Sequence, residues 1–245
     1  MVSGETEAAT VQAGSGALDT FSQDLAVTAL GLARIFASDA TLWCAAPAWP
    51  AHARHVAVEF VHPVIVGTRA LPAVALGGED LVGAARTLAA AGDALLAIGP
   101  AADPTLAALL PRAQAWGLTT IWVGAGPRPE PGRADHVLWV DAPADEAAHD
   151  GRLVLAYHLL WELTHVCFEH PGLLRPEPAG EDDVCVTCSD EGRPGEVVAD
   201  GPAGAEVRTA AGIELVDVTL VAPVVPGDLV LIHAGTAITR LDLVP

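Results

Sequence analysis

Asp93-Ala-Leu-Leu-Ala-Ile98 and the run that follows it, Gly99-Pro-Ala-Ala-Asp103 and then Pro104 to Trp116, decide the fold. The first stretch is apolar at five consecutive positions with no polar alternation. A strand of that kind is buried on both faces, as strands of a parallel sheet between helices are. The second is a helix-length run opened by Pro104, a residue suited to the first turn of a helix.

The same alternation extends in both directions. Upstream, residues 41–45 and 71–76 read as strands, and residues 51–62 and 80–91 as helices. Phe21, Leu25, Leu30, Leu32, Ile35 and Phe36 fall at helical spacing and predict a helix over 18–37, after a small, Gly-rich flexible start over 1–15. Downstream, residues 118–123 and 136–140 read as strands around a Gly/Pro-rich loop over 124–133. One long helix is expected from 144 to about 170, stopped by Pro171-Gly172. Together these predict a doubly wound α/β layer over 16–170. Ligands in such layers gather at the carboxyl ends of the strands, here residues 46–50, 99–103 and 124–126.

Past an acidic linker over 171–183 the pattern changes. Residues 195–199, 205–209, 213–221 and 229–233 read as short strands, with turns at Gly201, Gly212 and Pro226-Gly227. Residues 184–245 are therefore expected to form a small all-β, OB-like barrel. A short helix is expected over 237–241.

Composition narrows the function classes. The formal charge is −19, from 31 acidic against 12 basic residues, and every base is Arg. Without Lys there is no P-loop lysine and no Schiff base. So acidic a chain is a poor ligand for nucleic acid. No basic, apolar leader and no run of membrane-spanning length is visible, so a cytoplasmic protein without membrane attachment is expected. Reduced cysteines follow. Cys44 and Cys167 lie in apolar elements and read as packing residues.

Val184-Cys185-Val-Thr-Cys188-Ser-Asp190 opens the β-rich part. Two thiols three apart offer soft ligands to a metal, and His233 closes the strongest downstream strand. A structural CxxC, a zinc site completed by His233 in a sensor, or two ordinary buried thiols are the alternatives. Asp182, Asp183, Asp190 and Glu191 disfavour a free thiolate, so a metal clamp fits better than a nucleophile.

The α/β part resembles the SIS (sugar isomerase) family, and its phosphoheptose isomerase branch in particular. The resemblance is carried by His55-Val-Ala-Val-Glu59-Phe60, Arg69 to Leu76, Gly92 to Gly99, Ala134-Asp-His-Val-Leu138 and His158-Leu-Leu-Trp-Glu162-Leu163. It implies a dimer or tetramer and a divalent metal, often zinc. The implied ligands are His55, Glu59, His158 and Asp150, the last standing where the family has Gln. His55 and Glu59 are four apart, on one helix face. Asp150 lies eight residues before His158, about 12 Å along an ideal helix, so His149 is an alternative. The plainer reading makes His55–Glu59 an ordinary helix pair and His158 a buried, satisfied histidine. If the domain is an enzyme, Glu59 is the expected base and His158 the acid. The family's hydroxyl-rich phosphate turns are replaced by Ala45-Ala-Pro-Ala-Trp-Pro50 and Gly99-Pro-Ala-Ala-Asp-Pro104. Prolines remove backbone donors there and Asp103 repels an anion. A phosphate-free ligand is expected, with Trp49 across the pocket mouth.

The β part resembles the HypC/HupF family of [NiFe]-hydrogenase maturation chaperones. The residues are Cys185-Val-Thr-Cys188-Ser-Asp190, Glu196-Val-Val198, and Pro226-Gly-Asp-Leu-Val-Leu-Ile-His233-Ala-Gly-Thr-Ala-Ile238. The resemblance gives Cys185 the iron-carrying role, with the iron held as an Fe(CN)2CO fragment, and gives His233 a share in it. Cys188 adds a second thiolate. The implied partners are a maturation scaffold protein and the hydrogenase large-subunit precursor. Two departures stand out: Cys185 is internal rather than next to a free amine, and the family's Cys-x-x-x-Pro becomes Cys-x-x-Cys. The expected function is a hydrogenase assembly factor; the alternative is a metal-dependent sugar-phosphate isomerase.

Overall fold

The computed structural model describes residues 3–63, 65, 67–175 and 192–241, with side chains from Thr20 onward. Five parallel strands form the first sheet: β1 (Leu42–Ala45), β2 (Ala73–Ala75), β3 (Ala94–Ile98), β4 (Thr119–Ala125) and β5 (His136–Val140), in the order β2-β1-β3-β4-β5. Every residue of β3 is buried, as its unbroken apolar run requires. Asp93 ties this strand's start to its neighbours. Its carboxylate accepts from Thr41 N at 2.9 Å, Trp43 Nε1 at 2.8 Å and Ala90 N at 2.9 Å.

Helices cover both faces. On one side α1 (Ser3–Ala37), α2 (Pro50–Val61) and α6 (Arg152–Glu169) pack Leu32, Phe36, Phe60, Tyr157 and Leu160 against Leu42, Leu96 and Ile121. On the other, α3 (Leu81–Leu88) and α4 (Pro104–Ala115) pack Leu106, Leu109 and Leu110 against Leu95 and Trp122. The layer is doubly wound, as its sequence pattern predicts.

Local differences from the sequence expectations have physical causes. The single helix expected over 144–170 is two, α5 (Ala144–His149) and α6, because Gly151 takes a left-handed conformation with φ 87°. The first helix begins at Ser3 rather than at residue 18. Strand β4 continues two residues past Val123, since Gly124 and Ala125 pair with Trp139 and Val140 of β5. At Gly124 a Cβ would come within 2.4 Å of the Gly99 carbonyl and 2.5 Å of the Trp139 ring, so only glycine lets the strand through.

The second sheet is antiparallel, in the order β10-β9-β6-β7-β8, from β6 (Arg193–Ala199), β7 (Ala205–Thr209), β8 (Gly212–Val216), β9 (Leu229–His233) and β10 (Thr236–Arg240). Residues 236–240 form a strand, not the expected helix. Ala234 and Gly235, at φ 47° and 79°, make the two-residue, positive-φ turn that folds β10 back on β9. The strand expected over 213–221 stops at Val216; beyond it Asp217 bridges to Thr236. Hydrogen bonds from Asp217 N to Gly235 O (3.0 Å) and from Ala237 N to Asp217 O (2.8 Å) join the two edges of this sheet. Val197, Val207, Val216, Val230 and Ile232 fill its interior.

The two sheets are joined through Glu196. Its buried carboxylate pairs with Arg86, lies 3.4 Å from Arg112 Nε, and accepts from Trp116 Nε1 at 2.8 Å. Arg208 stacks on the Trp116 ring at 4.9 Å and donates to the Arg86 and Ala89 carbonyls.

Candidate metal centre

Helix α2 follows β1 and runs against α6, which places the expected ligands side by side. His55, Glu59 and His158 each present one donor atom, and the three lie within 4.8 Å of one another. His55 Nε2 is 3.2 Å from Glu59 Oε1 and 3.3 Å from His158 Nε2; His158 Nε2 is 3.7 Å from Glu59 Oε1. Two neighbouring α2 positions four apart supply the first pair. The third ligand comes from α6, about a hundred residues on.

These spacings fit an ion. Ligands about 2.0–2.1 Å from a tetrahedral zinc sit about 3.3 Å from each other, close to the three distances observed. Two imidazoles and a carboxylate suit zinc or another divalent first-row metal and leave a position open. The His55 and His158 side chains are 40% and 43% exposed, so that position can be reached from solvent.

Asp150 is not in this group. It sits before the Gly151 break, and its carboxylate pairs with Arg152, accepting from Arg152 Nε at 2.7 Å. That guanidinium holds the Asp150 carboxyl below the usual carboxylate range. The alternative ligand His149 is exposed, with Nδ1 2.7 Å from the Asp145 carbonyl.

Sequence reasoning missed what stands behind the ligands. Tyr157 is buried, and its hydroxyl lies 2.9 Å from His55 Nδ1 and 3.2 Å from His52 Nδ1. His52 Nε2 in turn faces the Ala148 carbonyl at 3.1 Å. Burial pushes the Tyr157 phenol up to about 12, helped by the charge of Glu59. Burial lowers the pKa of His52. Trp49 caps α2 and packs edge-on against His52, with ring centroids 6.2 Å apart. The histidines at 52 and 55 with Glu59 fall on one helix face, which is the sequence signal that marks His52.

The turn after β3 differs from a phosphate cradle in a specific way. Asp103 caps α4, its Oδ1 accepting from Thr105 N at 2.9 Å and Leu106 N at 3.1 Å. The donors a phosphate would use are already taken by a carboxylate of the chain.

In the second sheet His233 is half-buried at the end of β9. Cys185 and Cys188 lie outside the described residues. Cys44 and Cys167 are buried, and burial raises both thiols' pKa, consistent with packing roles. No helix among the described residues is long and apolar enough to cross a membrane.

Residues 192–243 match the HupF/HypC family. The matched segment begins seven positions after Cys185 and contains His233. The structure is similar to a phosphoheptose isomerase from Francisella tularensis, with a TM-score of 0.53 and 14% identity over 68% of this chain and 100% of that one. A phosphoheptose isomerase from Neisseria gonorrhoeae matches with a TM-score of 0.50 and 18% identity, over 68% of this chain and 98% of that one. At these identities the likeness is one of fold. No curated protein matches the chain.

Proposed function

We propose that the chain is a hydrogenase assembly factor. Its C-terminal part takes an iron fragment as cargo and presents it to a hydrogenase large-subunit precursor together with a maturation scaffold protein. The observation that carries this reading is the match of residues 192–243 to the HupF/HypC family, on an intact closed sheet. Cys185 is the cargo ligand by resemblance of its sequence; Cys188 adds a second thiolate, and His233 acts beside them. The α/β part is an oligomerising body, a dimer or tetramer, that holds zinc or another divalent ion on His55, Glu59 and His158. That ion would polarise a carbonyl or bound water, and His55, Glu59 and His158 fix its position.

Protein purified without oxygen should contain iron that Cys185→Ala loses, and the wild type should capture a large-subunit precursor in a pull-down. A Cys185→Ala protein that keeps all its iron contradicts the cargo assignment. A wild type that captures no precursor contradicts the assembly role.

The cluster itself favours a second reading, a metal-dependent isomerase with Glu59 as base and His158 as acid. Against it stands Asp103, whose carboxylate occupies the α4 amides. Turnover of sedoheptulose 7-phosphate that is lost in Glu59→Gln would decide for the enzyme.

A further inference from the structure

We propose that Tyr157 and His52 are positioning residues that hold His55 as its Nδ1–H tautomer, so that the bare Nε2 of His55 faces Glu59 and His158. The direction of each hydrogen bond follows from its fixed end. The Ala148 carbonyl can only accept, so His52 Nε2, 3.1 Å away, donates to it. A neutral His52 ring has one N–H, so its Nδ1 accepts. The neighbour of Nδ1 at 3.2 Å is the Tyr157 hydroxyl, whose single proton points there. The hydroxyl oxygen then accepts from His55 Nδ1 at 2.9 Å. The one proton of neutral His55 is thereby placed on Nδ1, and Nε2 keeps its lone pair.

Run backwards, the same contacts would put the proton on His55 Nε2, aimed at Glu59 3.2 Å away, where it blocks an ion. Glu59 at that end and the Ala148 carbonyl at the other can both only accept. The backward direction leaves His52 Nε2 bare against Ala148 O. The forward direction meets both ends, because His158 Nε2–H, 3.3 Å from His55 Nε2 and 3.7 Å from Glu59 Oε1, serves the first. This is an outer shell that fixes a ligand's tautomer through two side chains rather than one. The consequence for metal affinity rests on the proposed metal site; the tautomer does not.

The test uses the full chain, metal-free, with nitrogen-15 histidine, and assigns the His55 signals by their loss in His55→Asn. Long-range proton–nitrogen correlation should show His55 as the Nδ1–H form. Tyr157→Phe removes the acceptor and should move His55 toward the Nε2–H form. His52→Leu should do so by turning the Tyr157 proton back toward His55 Nδ1, and it reads the same point if Tyr157→Phe fails to fold. His52→Gln, whose amide can donate to Ala148 and accept from Tyr157, should restore the wild-type pattern. Cobalt(II) titration should show both disruptive variants weaker by about 10–100-fold. An Nε2–H His55 in the wild type, or a tautomer unmoved by both variants, overturns the proposal. If the tautomer responds as stated and cobalt(II) does not bind the wild type, the relay holds and the metal reading falls.

Discussion

Tyr157 is the only tyrosine in the chain, so phenolate absorbance reports it alone. Its pKa is raised from 10.0 to about 12 by burial, with Glu59 adding to the shift. A raised pKa in the folded state means that folding holds the phenol's proton. The associated stability is complete below about pH 10, the unfolded value, and declines as pH climbs toward 12. Spectrophotometric titration of the metal-free protein should therefore give a midpoint near 12. A Tyr157→Phe protein should lose less stability between pH 10 and 12, measured by urea unfolding at each pH. A midpoint near 10 would mean that the hydroxyl is open to water, not enclosed between His52 and His55. At this scale the sequence carried the ligands better than their supports. His55 and Glu59 are legible because four residues return to the same helix face. Tyr157 meets them only through tertiary packing, across 102 positions from His55, and no periodicity records such a contact.

Among the elements, apolar runs translate directly into strands where burial is two-sided. The strand β3 and the helix α4 match their sequence expectation within a residue at each end for that reason. Boundaries set by single glycines were not legible. Gly151 reads as tolerable inside a helix, yet at φ 87° it separates α5 from α6 and leaves Asp150 paired to Arg152. Ala234-Gly235 precedes the stretch 237–241 read as a helix, yet both residues take positive φ and return the chain as β10. Gly124 looks like the start of a loop but lies in β4 at its closest approach to Trp139. Gly124→Ala should force the Gly99 carbonyl or the Trp139 ring aside and cost about 1–3 kcal/mol. Urea unfolding checks this, and a change below about 0.5 kcal/mol would show that the strand gives way without strain.

For the molecule as a whole, the decisive group is Glu196, which the sequence offered as part of a strand and of the HypC/HupF resemblance, not as a junction. It is buried, and its partners Arg86, Arg112 and Trp116 all belong to the α/β body. Those partners lie 80 to 110 positions away, so the junction between the two sheets was invisible to a reading of adjacent residues. A buried carboxylate is costly unless its charge and lone pairs are met, and here two guanidiniums and an indole N–H meet them. Removing the carboxylate has two effects. It strands Trp116 Nε1, which has no other hydrogen bond to a described residue in its buried setting, and it leaves Arg112 without its counter-ion. Arg112 still donates to Ala108 O and Gly227 O at 2.9 and 2.8 Å, which limits the loss. Arg86 is 43% exposed and can turn to water. Glu196→Ala should therefore cost about 2–4 kcal/mol, and Arg86→Ala, which leaves the buried carboxylate with only Arg112 and Trp116, about 1–3 kcal/mol. If the junction couples the two sheets, wild-type urea unfolding followed by tryptophan fluorescence and by far-ultraviolet circular dichroism should coincide. In Glu196→Ala the two curves should separate, because all six tryptophans, Trp43, Trp49, Trp116, Trp122, Trp139 and Trp161, lie in the α/β body, while circular dichroism sees both sheets. Coincident curves in the variant, at unchanged midpoint, would show that the barrel is held by something other than this carboxylate.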